Sequence, residues 1–297
     1  MNIVIVGASG YLGSHLMRAL SHDPRLSITG TYYRRSTREA RYRLNIKDAR
    51  EVETFFRRNH PDLVIWLAAI KDVRACQTDA RAAYALNVQP LPFALAAIQA
   101  SNPSTKLLYV SSDYVFDGKR GSYRANDKRN PTTIYGQSKK IAEDLIMKST
   151  VSYTIVRTAA VIGPDSAFVR WILSPKKRSI ALYDDLFNTP TPLQLFLDGM
   201  RSIVWDFDRW GKKVHLVGSR RMSRYELGAT IIHASGSKNR TVPVHVAKDS
   251  YLPRDLSLAA TSSVYGTDSS SFLSELTASL SMSHDGKPSF LTGRRAG

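Results

Sequence analysis

Tyr135 and Lys139 stand four residues apart at the head of an apolar-periodic segment, Tyr135-Gly136-Gln137-Ser138-Lys139. That spacing puts both on one face of a helix. A free tyrosine, with a pKa of about 10, is a poor acid–base group at neutral pH. A cation held beside it favours the phenolate, so the pair is a compact proton donor for a carbonyl. A second chemical element precedes it. Leu107-Leu108-Tyr109-Val110-Ser111-Ser112-Asp113 reads as a buried strand that ends in hydroxyls. A hydroxyl there can hydrogen-bond a substrate oxygen and the tyrosine together. Neither piece is decisive alone, since Tyr/Lys pairs are frequent on exposed helices and serines often close loops.

A third element lies at the start of the chain. The apolar run Asn2–Val6 passes directly into Gly7-Ala8-Ser9-Gly10-Tyr11-Leu12-Gly13. Strand, glycine-spaced turn and helix are the layout of a dinucleotide-binding βαβ unit. Gly7 makes the tight turn, Gly10 lets the backbone approach a pyrophosphate, and Gly13 lets the helix pack on the strand. Ser9, Tyr11 and Leu12 fill the same loop, and the helix N-terminus offers N–H groups and a positive dipole end to phosphates. The second strand ends Tyr32-Tyr33-Arg34-Arg35. It has no carboxylate for a ribose 2′-hydroxyl and two guanidiniums suited to a 2′-phosphate. NADP(H) is therefore the expected cofactor, with Arg34 the first choice to meet that phosphate and Arg35 beside it.

These residues need a scaffold that brings strand ends together. Strands are expected at Ile3–Val6, Ser27–Tyr32, Leu63–Ala68, Lys106–Val110 and Tyr153–Val156. Helices are expected at Leu12–Ser21, Asp48–Arg58, Asp79–Ser101 and Tyr135–Lys148, with Pro90 and Pro92 breaking or kinking the third. Such alternation predicts an α/β fold, a doubly wound parallel sheet of Rossmann type. Residues 1–160 form this dinucleotide-binding domain. Residues 161–262 form a smaller C-terminal substrate lobe that can interleave with it, with strands at Ser179–Leu182 and Lys213–Leu216 and helices at Thr191–Asp206 and Ser223–Ala234. Ser223-Arg224-Tyr225-Glu226 is a capping box for the last of these. The Ser/Gly-rich tail, 263–297, is expected to be poorly ordered apart from a short helix at Phe272–Leu280.

The composition fits a cytoplasmic protein. The 297 residues, 43% of them hydrophobic, can fill a core. No apolar run nears the roughly 20 residues that span a bilayer, and no signal peptide precedes the first strand. The single cysteine, Cys76, is an inert small residue in this reading. The seven histidines show no ligand spacing, so no metal is expected. The four tryptophans read as packing residues. A net charge of +17 is spread along the chain in small groups. It suits a solvated surface first and anionic ligands second, and no nucleic-acid module is visible.

Taken in order, the glycine turn, Ser111-Ser112 and Tyr135-x-x-x-Lys139 resemble the extended short-chain dehydrogenase/reductase family, whose phosphate loop is G-x-x-G-x-x-G. Within it, Ser111-Ser112-Asp113-Tyr114-Val115-Phe116-Asp117-Gly118 is similar to the Ser-Thr-Asp-Tyr-Val-Phe-Asp-Gly segment of dTDP-4-dehydrorhamnose reductases. Val156-Arg157-Thr158 with Gly163, Asp185–Thr191, His215–Gly218, Ser223–Leu227 and Pro253-Arg254-Asp255 resemble further segments of that branch, so the likeness covers roughly residues 1–260. The resemblance implies that Tyr135 gives a proton to a sugar keto group, and that Lys139 lowers its pKa and holds the nicotinamide ribose. Ser112 polarises the keto oxygen, with Ser111 the alternative one register away, and Asp113 orders the loop. Ala68 and Ala69 stand where the branch has its Asn-Ala-Ala turn and are expected to touch the cofactor through their backbone. The implied function is an NADPH-dependent reductase of a nucleotide-linked keto-sugar, working as a homodimer. A non-catalytic NADP-binding regulatory subunit, or a sugar epimerase, uses the same scaffold. Where the reductases often carry a tryptophan against the deoxysugar, this chain has Ala159-Ala160, which sets its substrate apart from the rhamnose type.

Overall fold

Ile3–Val6, Leu63–Trp66 and Leu107–Leu108 are apolar on both sides of the chain, as suits strands covered on both faces, and all are buried. The computed structural model describes residues 1–176, 178–206, 212–261 and 274. The expected tail with its helix at Phe272–Leu280 lies outside the described residues (residue 274 apart), as does Trp210. Among the described residues no helix is long and apolar enough to cross a membrane.

The elements run β1 (Asn2–Val6), α1 (Tyr11–Ser21), β2 (Ser27–Tyr32), β3 (Tyr42–Arg43), α2 (Ala49–Asn59), β4 (Leu63–Trp66), α3 (Val73–Thr78), α4 (Ala80–Asn87), α5 (Pro90–Ser101), β5 (Lys106–Ser112), α6 (Ile134–Lys148) and β6 (Ser152–Thr158). There follow β7 (Val161–Ile162), α7 (Ala167–Ile172), β8 (Ser179–Tyr183), β9 (Phe187–Asn188), β10 (Thr191–Pro192), α8 (Leu193–Trp205), β11 (Lys212–His215), β12 (Met222–Ser223), α9 (Arg224–Ala234) and β13 (Arg240–Val244). A seven-stranded sheet has the order β11-β6-β5-β4-β1-β2-β3. Its β3-β2, β2-β1, β1-β4 and β4-β5 pairs are parallel. The order reverses between β1 and β4, and ligands of open α/β sheets bind at the carboxyl ends of strands beside such a switch point.

The chain folds as two compact units. One comprises Met1–Asp117, Asn126–Arg157 and Met200–Val214; the other comprises Gly118–Ala125, Thr158–Gly199 and the chain from His215. β11 was expected in the smaller lobe, but it extends the large sheet beside β6. The long helix expected at Asp79–Ser101 is two helices, because a proline is welcome in a first turn but not inside a helix: α4 ends at Asn87 and α5 starts on Pro90. α3 was not anticipated from periodicity; the Asp72 side chain starts it by accepting the Ala75 N–H at 2.8 Å. In the first unit, Val4, Val64, Leu107, Phe56 and Leu95 belong to one buried cluster. The second unit has its own core of Val169, Ile172, Ile180, Leu182, Leu227 and Ile231, and the Ser223–Glu226 capping box is formed.

Gly13 fixes how α1 lies on β1. A Cβ there would stand 2.5 Å from the Gly7 carbonyl oxygen and 2.6 Å from the Ala8 Cα. Both are backbone atoms, so no side-chain rotation relieves the clash. Gly13→Ala is expected to destabilise the fold by about 1–3 kcal/mol, which lowers a thermal midpoint by several degrees. Coincident melting curves for variant and wild type would refute this packing role.

Candidate active site

Gly7 ends β1 with φ at +89°, and a Cβ would come within 2.9 Å of the Ala68 nitrogen. Its N–H donates to Thr31 Oγ1 on β2 at 3.2 Å. The Gly10 N–H donates to the Gly7 carbonyl at 3.1 Å and closes the turn. Gly10 is the N-cap of α1, with no side-chain capping bond and no acidic residue in the first turn. The first N–H groups of α1 and its positive dipole end are therefore available to an anion.

The turn borders a cleft of about 860 Å³. Seven expected residues line it together: Gly7, Ser9, Gly10, Arg34, Arg35, Ala68 and Ala69. Tyr11 and Leu12 belong to the first turn of α1 and do not line this cleft, and Gly13 serves the helix–strand contact. The Tyr11 ring packs edge-on against His15 at 5.0 Å. Thr31, Asn45, Ile46 and Lys47 also line the cleft. Asn45, Ile46 and Lys47 escaped the sequence reading because β3, which leads into them, has only two residues, too few for a periodic signal; Thr31 lies on the expected strand β2 but was not singled out. A glycine corner, an uncapped helix start and two guanidiniums fit a dinucleotide with a 2′-phosphate.

Tyr135 and Ser112 meet because α6 starts very close to the end of β5. Thr133 caps α6 by accepting the Gly136 N–H at 3.0 Å. A Cβ on Gly136 would lie 2.1 Å from the Tyr114 carbonyl oxygen, so only glycine allows this approach. Residues 113–115 form a 3₁₀ turn. Ser112 Oγ donates to Asp113 Oδ1 at 2.7 Å, accepts the Tyr114 N–H at 3.3 Å, and stands near enough to the Tyr135 phenol to favour its ionised form. The Tyr114 and Tyr135 rings stand edge to face, 5.6 Å apart. Ser111 points elsewhere, since successive strand residues face opposite sides. Its Oγ donates to Glu143 Oε1 at 2.6 Å. The geometry thus puts Ser112, not Ser111, beside the tyrosine.

Lys139 lies one turn beyond Tyr135 and is buried. Its Nζ donates to Tyr109 Oη and to the Val110 carbonyl, both at 2.7 Å. Burial pulls its pKa down to about 7, against the opposing charge of Glu143. Burial pushes the Tyr135 phenol up, and the nearby Ser112 hydroxyl opposes that rise only in part. The simple expectation that Lys139 lowers Tyr135 is thereby corrected. Desolvation dominates the phenol, and the ammonium is engaged by Tyr109 and Val110.

Glu143, one further turn along α6, was missed by the sequence reading. It is fully buried, and both its oxygens are taken. Arg157 donates from Nε to Oε1 at 2.9 Å and from Nη2 to Oε2 at 2.7 Å. Arg129 Nη1 reaches Oε2 at 3.0 Å. Burial alone would raise this carboxyl, but the Arg157 hydrogen bonds and charge, with Ser111 and Arg129, hold it below the usual carboxylate range. Its place at the same helical spacing from Lys139 as Lys139 from Tyr135 was the available signal.

Other expectations fare differently. Cys76 is buried, and burial with the nearby Asp72 pushes its thiol up, away from reactivity. Trp66 is a core residue, but Trp171 is 40% and Trp205 36% exposed. His245, read as lacking ligand partners, stands with Asp184 and Asp185, their candidate ligand atoms all within 4.8 Å. His245 Nδ1 lies 2.6 Å from Asp184 Oδ1, an ion pair once the imidazole is protonated, and Asp185 accepts from Arg254 and from the Val246 N–H.

A doubly wound sheet with a glycine-turned first crossover, and a Ser/Tyr/Lys set at the end of β5 and the start of α6, defines an extended short-chain dehydrogenase/reductase. The family model described as "RmlD substrate binding domain" matches residues 1–280, and the chain belongs to that family. It is accordingly an oxidoreductase of the short-chain type. It is 30% identical over 246 residues to the spore coat polysaccharide biosynthesis protein SpsK of Bacillus subtilis (strain 168), with 82% of each chain covered. It is 28% identical over 261 residues to the dTDP-4-dehydrorhamnose reductase of Mycobacterium tuberculosis (strain ATCC 25618 / H37Rv), covering 83% of this chain and 80% of that one. The dTDP-4-dehydrorhamnose reductase of Bacillus anthracis, solved in complex with NADP, shares the fold with a TM-score of 0.78 at 23% identity, covering 88% of this chain and 90% of that one.

Proposed function

We propose that the chain is an NADPH-dependent reductase of a nucleotide-linked keto-sugar, close to the dTDP-4-dehydro-6-deoxysugars. The observation that carries this reading is the placing of Ser112 at the end of β5 beside Tyr135 at the start of α6, with Lys139 one turn on, in the same unit as the arginine-lined cleft. The family membership and its curated relatives support it. When bound, NADPH supplies a hydride to the keto carbon. Gly7, Gly10 and the N-terminus of α1 would hold the pyrophosphate, and Arg34 and Arg35 would hold the 2′-phosphate. Ala68 and Ala69 line the cleft beside Gly7.

Tyr135 gives its hydroxyl proton to the keto oxygen, and Ser112 donates a hydrogen bond to the same oxygen. Lys139 keeps positive charge near the phenol as it loses its proton. Before substrate binds, Ser112 gives its single proton to Asp113 at 2.7 Å, and it turns that proton to the keto oxygen when the substrate arrives.

The test is calorimetric titration with NADPH and NADH, followed by a screen of dTDP-, UDP- and GDP-keto-sugars for NADPH oxidation. Replacing both Arg34 and Arg35 by alanine is expected to weaken NADPH binding roughly 10²- to 10⁴-fold, since hydrogen bonds to charged groups are worth about 1.5–3 kcal/mol each. NADH binding should barely change. Equal losses for the two cofactors would remove the arginines from the 2′-phosphate site.

A further inference from the structure

The Lys139 ammonium does not rest on solvent. It is buried and fastened at two points of β5, and the second of them is a side chain that neither sequence pattern nor family motif singled out. Tyr109 is 2% exposed, three residues before Ser112 on the same strand. Its Oη accepts from Lys139 Nζ at 2.7 Å, and that nitrogen lies 4.1 Å from the ring centroid. The Val110 carbonyl takes another of the three ammonium protons, also at 2.7 Å. A lysine stem is long and rotamer-rich, so one anchor would leave the head free to swing. Two anchors on adjacent strand residues fix it.

We propose that Tyr109 is a positioning residue of this active site: its phenol oxygen and the Val110 carbonyl together set where the Lys139 ammonium stands. The proposal rests on the reductase reading, which gives Lys139 its task. Tyr109 does not reach the reacting atoms; it acts through Lys139. The phenol oxygen also favours the charged amine, because it offers an acceptor where water is excluded. The other titratable groups around the site are known. Tyr135 and Glu143 come from α6 itself, Asp113 and Tyr114 from the 3₁₀ turn, and Cys76 from α3. Of these, only Glu143 adds charge that holds Lys139 protonated. Its own partners Arg157 and Arg129 are tied to it and not to Lys139.

Tyr109→Phe keeps the ring and deletes the one oxygen. In full-length protein labelled with ¹⁵N-lysine, the Lys139 titration midpoint, starting from about 7, is expected to fall by about one unit, a tenfold shift in its protonation equilibrium. The alkaline limb of the kcat profile should move to lower pH by the same amount, with kcat about tenfold lower on that limb, well above the wild-type midpoint, and KM nearly unchanged. An unmoved midpoint, or a kcat lowered equally at every pH, overturns the proposal. Should Tyr109→Phe fail to fold, Tyr109→Met, similar in bulk and also without the acceptor, is read by the same titration. The NMR arm needs no substrate. A wild-type chain that reduces no keto-sugar therefore sinks the reductase reading, while the titration still decides the role of Tyr109.

Discussion

Tyr135→Phe will bind NADPH as the wild-type chain does and reduce its keto substrate 10²- to 10⁴-fold more slowly, the usual range for loss of a positioned general acid. The substitution deletes one oxygen from a buried side chain whose ring stays packed against Tyr114. Stability should change little, because the oxygen removed takes part at most in a neutral hydrogen bond, worth about 1 kcal/mol. Stopped-flow hydride transfer at saturating NADPH, beside a calorimetric Kd, separates chemistry from binding. An unchanged Kd with collapsed turnover assigns the proton to Tyr135. Turnover within a few-fold of wild type would move the proton to another donor. If neither NADPH nor NADH binds the wild-type chain, the glycine turn has lost its ligand and the regulatory-subunit reading returns.

The same region shows how far a sequence can be read. The glycine turn was legible because Gly7, Gly10 and Gly13 each answer a local backbone demand within seven residues. The Tyr135/Lys139 spacing was legible because both sit on one helix face. What Lys139 touches was not legible, since its partner Tyr109 lies 30 positions away on β5. The choice between Ser111 and Ser112 was open for a related reason. A strand sends neighbours to opposite sides, and which side faces α6 depends on where Gly136 lets that helix approach. β11 was misplaced because four residues carry no mark of which sheet edge they join. The two-residue strands β7, β9, β10 and β12 are too short to show any period.

Glu143 is the residue whose loss should cost most in stability. Its carboxylate is fully buried, as is the Arg157 guanidinium it holds through two hydrogen bonds. Replacing such a pair by well-packed apolar groups can be nearly neutral, but removing one partner leaves an uncompensated charge in the interior. Glu143→Gln keeps the shape and strips the charge. It is expected to destabilise the first unit by about 3–5 kcal/mol, a fall in melting temperature of roughly 10 °C. The partner change Arg157→Met, added to Glu143→Gln, should recover part of that loss, whereas two independent defects would add. The pH dependence follows from the same contacts. The Glu143 carboxyl is held below its unfolded value of 4.5, so its contribution is fully present above that pH and drains away as pH falls through the folded value. Wild-type chain should therefore lose stability in acid more steeply than Glu143→Gln, and their denaturation midpoints should converge there. Parallel curves across that range would mean that Glu143 is not ionised in the fold, and the buried network would have to be redrawn around a neutral acid.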